Sequence, residues 1–287
     1  MPELPEVESV RRMLEAAVRG RVIRAVRLSG LRLREPLAPT LARGLRGRTI
    51  ERVERRAKFL LIGLDGDYTL LSHLGMSGRW VVLGPRERPA LPHVHARLRF
   101  ADGGGLWYQD ARRFGLLRLV ETRALDRDPA LARLGNDPVA HPPTGRSLLA
   151  LADGTRVTMK AFLMDQRRIA GLGNIYVSEV LHRAGVDPRR RAGTLAPAEW
   201  TRVAREIRRV LAEAIERMGT TVRTYRDVWG EPGGYGDLLR VYDRAGQPCR
   251  RCGGPIRRIV QGQRSTFYCP ACQRPRGAPQ RPGRRLG

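Results

Sequence analysis

The chain opens Met1-Pro2-Glu3-Leu4-Pro5-Glu6, and only two of its 54 basic residues are lysines, Lys58 and Lys160. Arginine stays protonated and forms no imine, whereas a lysine or a free N-terminal amine can. Three amines could therefore act as nucleophiles: Lys58, Lys160 and the chain's own terminus. Pro2 is small, so removal of Met1 is expected. That leaves a secondary amine with the carboxylates of Glu3 and Glu6 close by. Taken alone, Pro2 reads more simply as an ordinary frayed terminus.

A second chemistry lies near the other end. Cys249-x-x-Cys252 is followed after sixteen residues by Cys269-x-x-Cys272. Two CxxC pairs can place four thiolates on one tetrahedral zinc, and four thiolates leave no open position, so this zinc is structural. The segment between the pairs reads as a β-hairpin carrying Arg257, Arg258 and Arg264. It could present arginine to a phosphate or a groove, or it could be a solvated charged hairpin.

Weaker signals lie between. Gly171-Leu172-Gly173-Asn174-Ile175-Tyr176 joins two helical segments. Its glycines would let backbone amides approach a phosphate and Asn174 could cap the next helix, but an ordinary helical corner reads equally well. Met159-Lys160 precedes the next helix, with Asp165-Gln166 downstream. In a chain that otherwise uses arginine, each lysine hints at a constrained role. His73-Leu74-Gly75-Met76 and Asp110-Ala111-Arg112-Arg113-Phe114-Gly115 end two strand patterns. An apolar wedge beside a planar cation suits insertion into an opened duplex, although Met76 and Phe114 by themselves read as core residues.

The elements that must position these groups follow from pattern. Residues 5–18 read as a helix with Pro5 in its first turn, Glu6 and Glu8 at its positive end, one apolar face of Val7, Val10, Leu14 and Ala17, and Gly20 as the stop. Residues 22–28, 60–64, 68–74, 95–100, 106–108 and 116–120 read as short strands, with Asp65-Gly66 and Asp102-Gly103 as hairpin turns. This makes a β-sandwich with one leading helix. Residues 197–218 read as a long amphipathic helix, and 220–236 as a mobile glycine-rich loop. The fold class is α+β and multidomain, divided as 1–125 (sandwich), 126–143 (linker), 144–236 (helical, with the 220–236 loop), 237–273 (zinc hairpin) and 274–287 (tail). From Gln273 onward five arginines and three prolines accompany almost nothing apolar, so the tail is expected to be disordered.

Composition bounds the partner. The 287 residues include 28 acidic ones, for a net charge of +26, and 41% are hydrophobic, enough for real cores. An arginine-rich proteome would explain the Arg-to-Lys ratio but not the excess over acid. The charge points to nucleic acid, with an anionic membrane as the weaker alternative. No apolar run reaches membrane-spanning length, and the N-terminus lacks a signal peptide's apolar core. A cytosolic, reducing compartment is expected, in which four cysteines argue for metal before disulfides.

Together these pieces resemble the formamidopyrimidine-DNA glycosylase family. The carriers are PELPEV, HLGM at 73–76, DARRFG at 110–115, MDQRRIAGLGNIYVSE at 164–179, and CRRC…FYCPAC at the end, in family order over nearly the whole chain. The resemblance implies a β-sandwich, a helix-two-turn-helix domain and a zinc finger, with DNA in the cleft between. It implies a monomeric repair enzyme that excises oxidised purines, chiefly 8-oxoguanine and formamidopyrimidines, from double-stranded DNA, acts on abasic sites and cuts the strand. Pro2 would be the nucleophile and Glu3 the acid/base partner, with Lys58 and Arg264 also in the catalytic set. Lys58, Asn174 and Arg264 would grip phosphates. Met76, Arg112 and Phe114 would fill the gap left by the extruded base. His93, Lys160 and Glu6 join the DNA-contacting set, His93 in surroundings that match less closely.

Rival readings remain. An endonuclease VIII-like enzyme would share the architecture but take oxidised pyrimidines; Leu4, the Met76/Arg112/Phe114 set and the GLGNIY context favour the first family. A non-enzymatic zinc-ribbon DNA-binding protein would need neither Pro2 nor Glu3. A degenerate homologue would bind lesions without cutting, but the catalytic positions are intact. The 220–236 loop and the arginine-rich tail match the family pattern least.

Overall fold

Alternation of apolar and polar residues in the first half of the chain produces two four-stranded antiparallel sheets that share one core. The computed structural model describes residues 2–221 and 225–274. As far as they are described, the residues fall into two compact units. The first comprises Met1–His141, Ile169–Leu172 and Leu211–Leu238. The second comprises Pro142–Arg168, Gly173–Val210 and Leu239–Gly287. The linear division expected above thus meets an interleaved one, because 169–172 and 211–238 pack with the sandwich. Ala170 donates its amide to the Asn136 carbonyl, and Val228 is wholly buried in the sandwich core.

In the first unit, helix α1 (Leu4–Val18) leads into β1 (Ile23–Leu28), the short helix α2 (Pro39–Leu45), β2 (Ile50–Arg56), β3 (Phe59–Leu64), β4 (Tyr68–His73), β5 (Arg79–Leu83), β6 (Val94–Phe100), β7 (Gly105–Gln109) and β8 (Leu116–Glu121). One sheet runs β1-β6-β7-β5 and the other β2-β3-β4-β8. The turns at Asp65-Gly66 and Asp102-Gly103 link β3 to β4 and β6 to β7, as expected. Ala96, Leu98 and Phe100 of β6, Leu106 and Tyr108 of β7, and Leu60, Ile62 and Leu64 of β3 face the shared core, where Val7, Val10, Leu14 and Val18 of α1 join them. Each fully buried Leu or Ile there contributes about 2 kcal/mol.

The outer faces of the two sheets differ. Every residue of β3 is buried, because Leu125 and Leu131 cover Phe59, Leu61, Leu71 and Leu116 on its outer side. On the other sheet Arg27 and Arg99 are exposed, and Arg97 and Trp107 half-buried.

The second unit contains α3 (Gly145–Ala152), α4 (Met159–Met164), α5 (Asn174–Ala184), most of α6 (Pro197–Glu216), and a hairpin of β9 (Arg257–Gln261) and β10 (Arg264–Tyr268). Trp200, Val203, Ile207, Val210 and Leu211 of α6 are buried at the helical spacing expected. Lys160 lies within α4 itself rather than ahead of a helix, because Thr158 caps a short turn there. Among the described residues of the 220–236 loop, Thr220 bridges Gly234, and Val228 and Tyr235 are fully buried. The loop is therefore anchored at both ends of its described part, in place of the loose segment its glycines suggest. Residues 222–224 and the tail from 275 lie outside the described residues. Among the described residues no helix is long and apolar enough to cross a membrane.

Candidate active site and nucleic-acid interface

Register collects one end of the sandwich into a site. Arg56 pairs Phe59 across the β2–β3 turn, Phe59 pairs His73, and His73 pairs Leu116. The Lys58 turn, the HLGM loop and the end of DARRFG therefore share an edge.

The N-terminus is not frayed. Pro2 is buried and Glu3 is 3% exposed. Glu3 is the N-cap residue of α1, and Pro5 sits in the first turn, where a missing N–H costs nothing. The Glu6 carboxylate accepts the Glu3 amide on one oxygen and the Thr220 amide on the other, each at 2.7 Å. Neighbouring Gly219 has φ +79°, and a Cβ there would lie 2.6 Å from Glu6 Oε1, so glycine is required for this approach. The Leu4 amide donates to the Gly171 carbonyl at 3.1 Å, and Lys58 Nζ donates to the Leu172 carbonyl at 2.9 Å. Consecutive carbonyls of one loop thus hold both the start of the chain and the buried Lys58. Gly171 has φ +105° and would place a Cβ 2.4 Å from Leu4 Cδ1. These backbone contacts give the carbonyls of the GLG segment a positional role.

Behind Lys58, Arg55 is 5% exposed and bridges Glu8 at 3.0 Å and Asp137 at 2.5 Å. Asp137 also accepts the Ala57 amide at 2.8 Å. The Arg55 charge and these hydrogen bonds outweigh burial and hold the Asp137 carboxyl below its ordinary range. The turn that carries Lys58 is pinned on both sides.

Met76 is half-buried and Phe114 is 48% exposed, so neither belongs to the core. Their loops interlock. Gly75, at φ +61°, would drive a Cβ to 2.5 Å from the Phe114 backbone carbon. Buried Asp110 accepts the Ser77 hydroxyl at 2.6 Å, the Gly115 amide at 2.8 Å and the Arg112 amide at 3.3 Å. Arg112 Cζ stands 4.9 Å from the centre of the Phe114 ring, a planar cation beside an exposed aromatic. The Gly75 amide donates to His73 Nδ1 at 2.9 Å. Burial, then the charges of Arg34 and Lys58, lower the His73 pKa to about 3, so its ring is neutral at physiological pH. His93 is exposed with φ +56°, and its carbonyl accepts the Asp110 amide at 3.0 Å. Asp110, Gly75 and Ser77 were not singled out from sequence. Asp110 and Gly75 lie within the two motifs, and Ser77 directly follows the first.

In the second unit Asn174, Lys160 and Arg264 converge on the hairpin. Asn174 is the first residue of α5 rather than its cap, which is Gly173. Its side-chain amide donates to the Ser265 carbonyl at 2.9 Å. Lys160 Nζ donates to Thr266 Oγ1 at 2.5 Å and the Ser265 carbonyl at 2.9 Å, with the Arg264 carbonyl at 3.5 Å. Burial, then the Arg264 charge, pull the Lys160 pKa down to about 8. Lys160 therefore props the hairpin from behind, while exposed Arg264 begins β10. Glu179, also not foreseen, is fully buried and accepts the amides of Arg240, Val241 and Tyr242 at 2.8 to 2.9 Å, fixing the chain that leads into the cysteines.

The four cysteine sulfurs lie within 4.8 Å of one another. Cys249–Cys272 and Cys252–Cys269 are 3.9 and 3.4 Å apart. Sulfurs about 2.3 Å from a common zinc in a tetrahedron stand roughly 3.8 Å apart, so the set fits the ion with small shifts of the thiolates. His182 Nε2 lies 3.3 Å from Cys249 Sγ, placed to donate to a thiolate. Cys249, Cys252, Cys269 and Cys272 form a structural zinc site.

Comparison with known proteins agrees with this architecture. Residues 1–117 match the formamidopyrimidine-DNA glycosylase N-terminal domain, 134–226 the formamidopyrimidine-DNA glycosylase H2TH domain, and 246–275 the zinc finger found in FPG and IleRS. The chain is 48% identical over 283 residues to a formamidopyrimidine-DNA glycosylase of Cereibacter sphaeroides, covering 96% of this chain and 100% of that one. It is 46% identical to that of Methylococcus capsulatus, with the same coverage. A Lactococcus lactis Fpg variant in complex with Fapy-dG-containing DNA superposes with a TM-score of 0.88 at 32% identity, covering 96% of this chain and 100% of the other. A two-unit fold with a buried N-terminal segment and a zinc-stapled hairpin defines a class of nucleic-acid enzyme. Within that class, the chain belongs to the formamidopyrimidine-DNA glycosylase family.

Proposed function

We propose that the protein is a bifunctional DNA glycosylase and abasic-site lyase that excises oxidised purines through Pro2. The observation that carries the reading is the packed N-terminus: Pro2 and Glu3 are buried beside a loop that also holds Lys58. A structural terminus would need none of this, whereas a nucleophile must be held in one geometry.

A base within the stack cannot be reached at its sugar C1′, so the nucleotide is flipped out, at a cost of a few kcal/mol. Met76, Arg112 and Phe114 fill the space it leaves. Once Met1 is removed, the Pro2 amine attacks C1′ with its lone pair, the bond to the base breaks, and the base departs with the electron pair. Glu3 protonates the opening sugar and shuttles the amine's proton. The resulting iminium has no nitrogen proton to lose. It remains a cationic electron sink, so a C2′ proton leaves and the 3′ phosphate departs, followed by the 5′ phosphate. Glu6 positions the Glu3 amide, and Lys58, Asn174 and Arg264 take phosphates, with His93 and Lys160 contributing to DNA binding. On this reading 1–125 carries the nucleophile, 144–236 and 237–273 carry the DNA grip, and the protein works at the bacterial nucleoid.

Borohydride trapping on a duplex with 8-oxoguanine opposite cytosine, followed by peptide mapping, tests it. A covalent adduct at Pro2 is expected. No adduct on any damaged duplex would leave a binding protein. A second reading, oxidised pyrimidines as substrates, is kept because a Lactococcus lactis Fpg has been solved with oxidised-pyrimidine-containing DNA. An adduct on that duplex but not on 8-oxoguanine would select it.

A further inference from the structure

The bare outer face of the β1-β6-β7-β5 sheet carries an unexplained cationic row. Arg27 of β1 pairs Arg97 of β6, Arg97 pairs Trp107 of β7, and Trp107 pairs Val81 of β5, so these side chains line up across one face. Arg99, two residues along β6, lies on the same face opposite Ala25. Like charges directly opposite on neighbouring strands destabilise a sheet. Here Arg27 and Arg97 are so placed, and no carboxylate among the described residues pairs with Arg27, Arg97 or Arg99. Arg97 Cζ stands 5.0 Å from the Trp107 ring centre.

The face is concave. Arg27, Arg88, Arg97, Arg99 and Trp107, with Gly104 and Gly105, line a cleft of about 310 Å³. The one acidic residue in its wall, Glu87, turns its carboxylate to the Gly84 amide at 2.8 Å. The cleft also lies away from the wedge loops. HLGM precedes Arg79 and DARRFG follows Gln109, and these two residues pair at one end of the sheet. Leu83, Gly105 and Arg99, which line the cleft, pair at the other. Arg27, Arg88, Arg97 and Arg99 therefore lie outside the loops assigned to the lesion.

We propose that this face is a second nucleic-acid site, which takes the phosphodiester backbone of a DNA segment other than the one at the wedge loops. Guanidiniums spaced by the sheet receive successive phosphates, and the Arg97–Trp107 stack offers an apolar platform to a base where the segment is single-stranded. Phosphate is favoured over an acidic protein because the arginines stand in a regular row beside an aromatic, and the enzyme's substrate supplies the backbone at high local concentration. Two sites on one molecule would let the protein pass directly between DNA segments.

The test saturates the full-length zinc protein with an uncleavable abasic-site duplex, then titrates a labelled short oligothymidylate or a labelled undamaged duplex by anisotropy. Binding of the abasic duplex is read separately, so failure of the proposed function is distinguishable. A ternary complex is expected with at least one probe. In Arg27→Ser/Arg99→Ser its affinity falls about tenfold. The slope of log K against log salt becomes shallower by about 0.7 per arginine lost for single strands and about 0.9 for duplex. The abasic duplex binds unchanged, and Arg27→Lys/Arg99→Lys restores most of the affinity. If neither probe forms a ternary complex, or the double serine variant binds both as well as the wild type, the proposal is overturned. Equal competition by a polyglutamate peptide would assign the face to acidic proteins and overturn it too.

Discussion

The N-terminal segment and the zinc-stapled hairpin are held in place by opposite means. The N-terminal segment of the first unit is fixed by dense packing and by backbone: Leu4 on the Gly171 carbonyl, the Glu3 and Thr220 amides on Glu6, and the pinned turn at Lys58. The hairpin of the second unit has a small core, built on Val241, Ile256, Phe267 and the cysteines, and depends on four thiolates and a few polar bonds from Lys160, Asn174 and Glu179. A large core can fix a reactive group without help. A small one needs a metal to supply what packing cannot.

The largest effect should come from the terminus. Protein shown by mass spectrometry to retain Met1 should lose base release and strand cutting entirely, because an amide nitrogen is not a nucleophile. Pro2→Gly, which keeps a primary amine, should retain part of both. Full activity with Met1 in place would remove Pro2 from the mechanism. The next effect separates the regions. Chelation of zinc, or Cys249→Ser, should cost about two orders of magnitude in DNA affinity, consistent with the several kcal/mol a structural zinc gives its module. The sandwich's melting transition, followed by tryptophan fluorescence, should stay put. A joint collapse would show that the two regions are not independently held.

Smaller effects sharpen the contrast. Lys160→Met removes the donor shared by Ser265 and Thr266; Asn174 still serves the Ser265 carbonyl, but the buried Thr266 hydroxyl loses its charged partner, at about 1–3 kcal/mol. We expect roughly tenfold weaker DNA binding with zinc content unchanged by metal analysis. Wild-type affinity would mean the hairpin does not need this prop. In the first unit His73 is the acid-sensitive point nearest neutral pH. Its pKa of about 3 in the fold lies below the ordinary 6.5, so the unfolded chain binds the proton more readily. Stability is complete above pH 6.5 and falls as the pH drops toward 3. Between about pH 7 and pH 5 the loss from this group is about 2 kcal/mol. Denaturant midpoints at those pH values should show it, and His73→Gln should flatten the difference.

How far the sequence foretold this depends on whether a signal was local. The cysteine spacing, α1, α6 and the Asp-Gly turns were legible because each rests on a short periodic or turn signal. Strand β2 was not, because Ile50 and Val53 are its only buried residues and a register shift separates Ile50 from Arg52. Strand β5 is five residues long and follows a turn that masks its start. At the site, residue types only admitted Pro2 and Lys58 among the possible amines, and the family resemblance supplied their roles and that of Glu3. What brings them together is a pair of carbonyls on Gly171 and Leu172, more than a hundred residues away in sequence, and no local pattern announces a carbonyl. Met76 and Phe114 read as core because hydrophobicity alone does not distinguish a packed residue from a wedge. Asp110 gave no sign of organising a loop, since its partners are the Ser77 hydroxyl and backbone amides.

That Asp110 arrangement also bears on how fast the protein can work. With the Gly115 and Arg112 amides and the Ser77 hydroxyl already bonded to one buried carboxylate, the loop carrying Phe114 has surrendered its conformational freedom before it meets DNA. Its ordering was completed during folding and is not repeated at each encounter. On the proposed function, a stiff probe of this kind would wait for a weakened base pair to open, and the clock of the search would belong to the DNA.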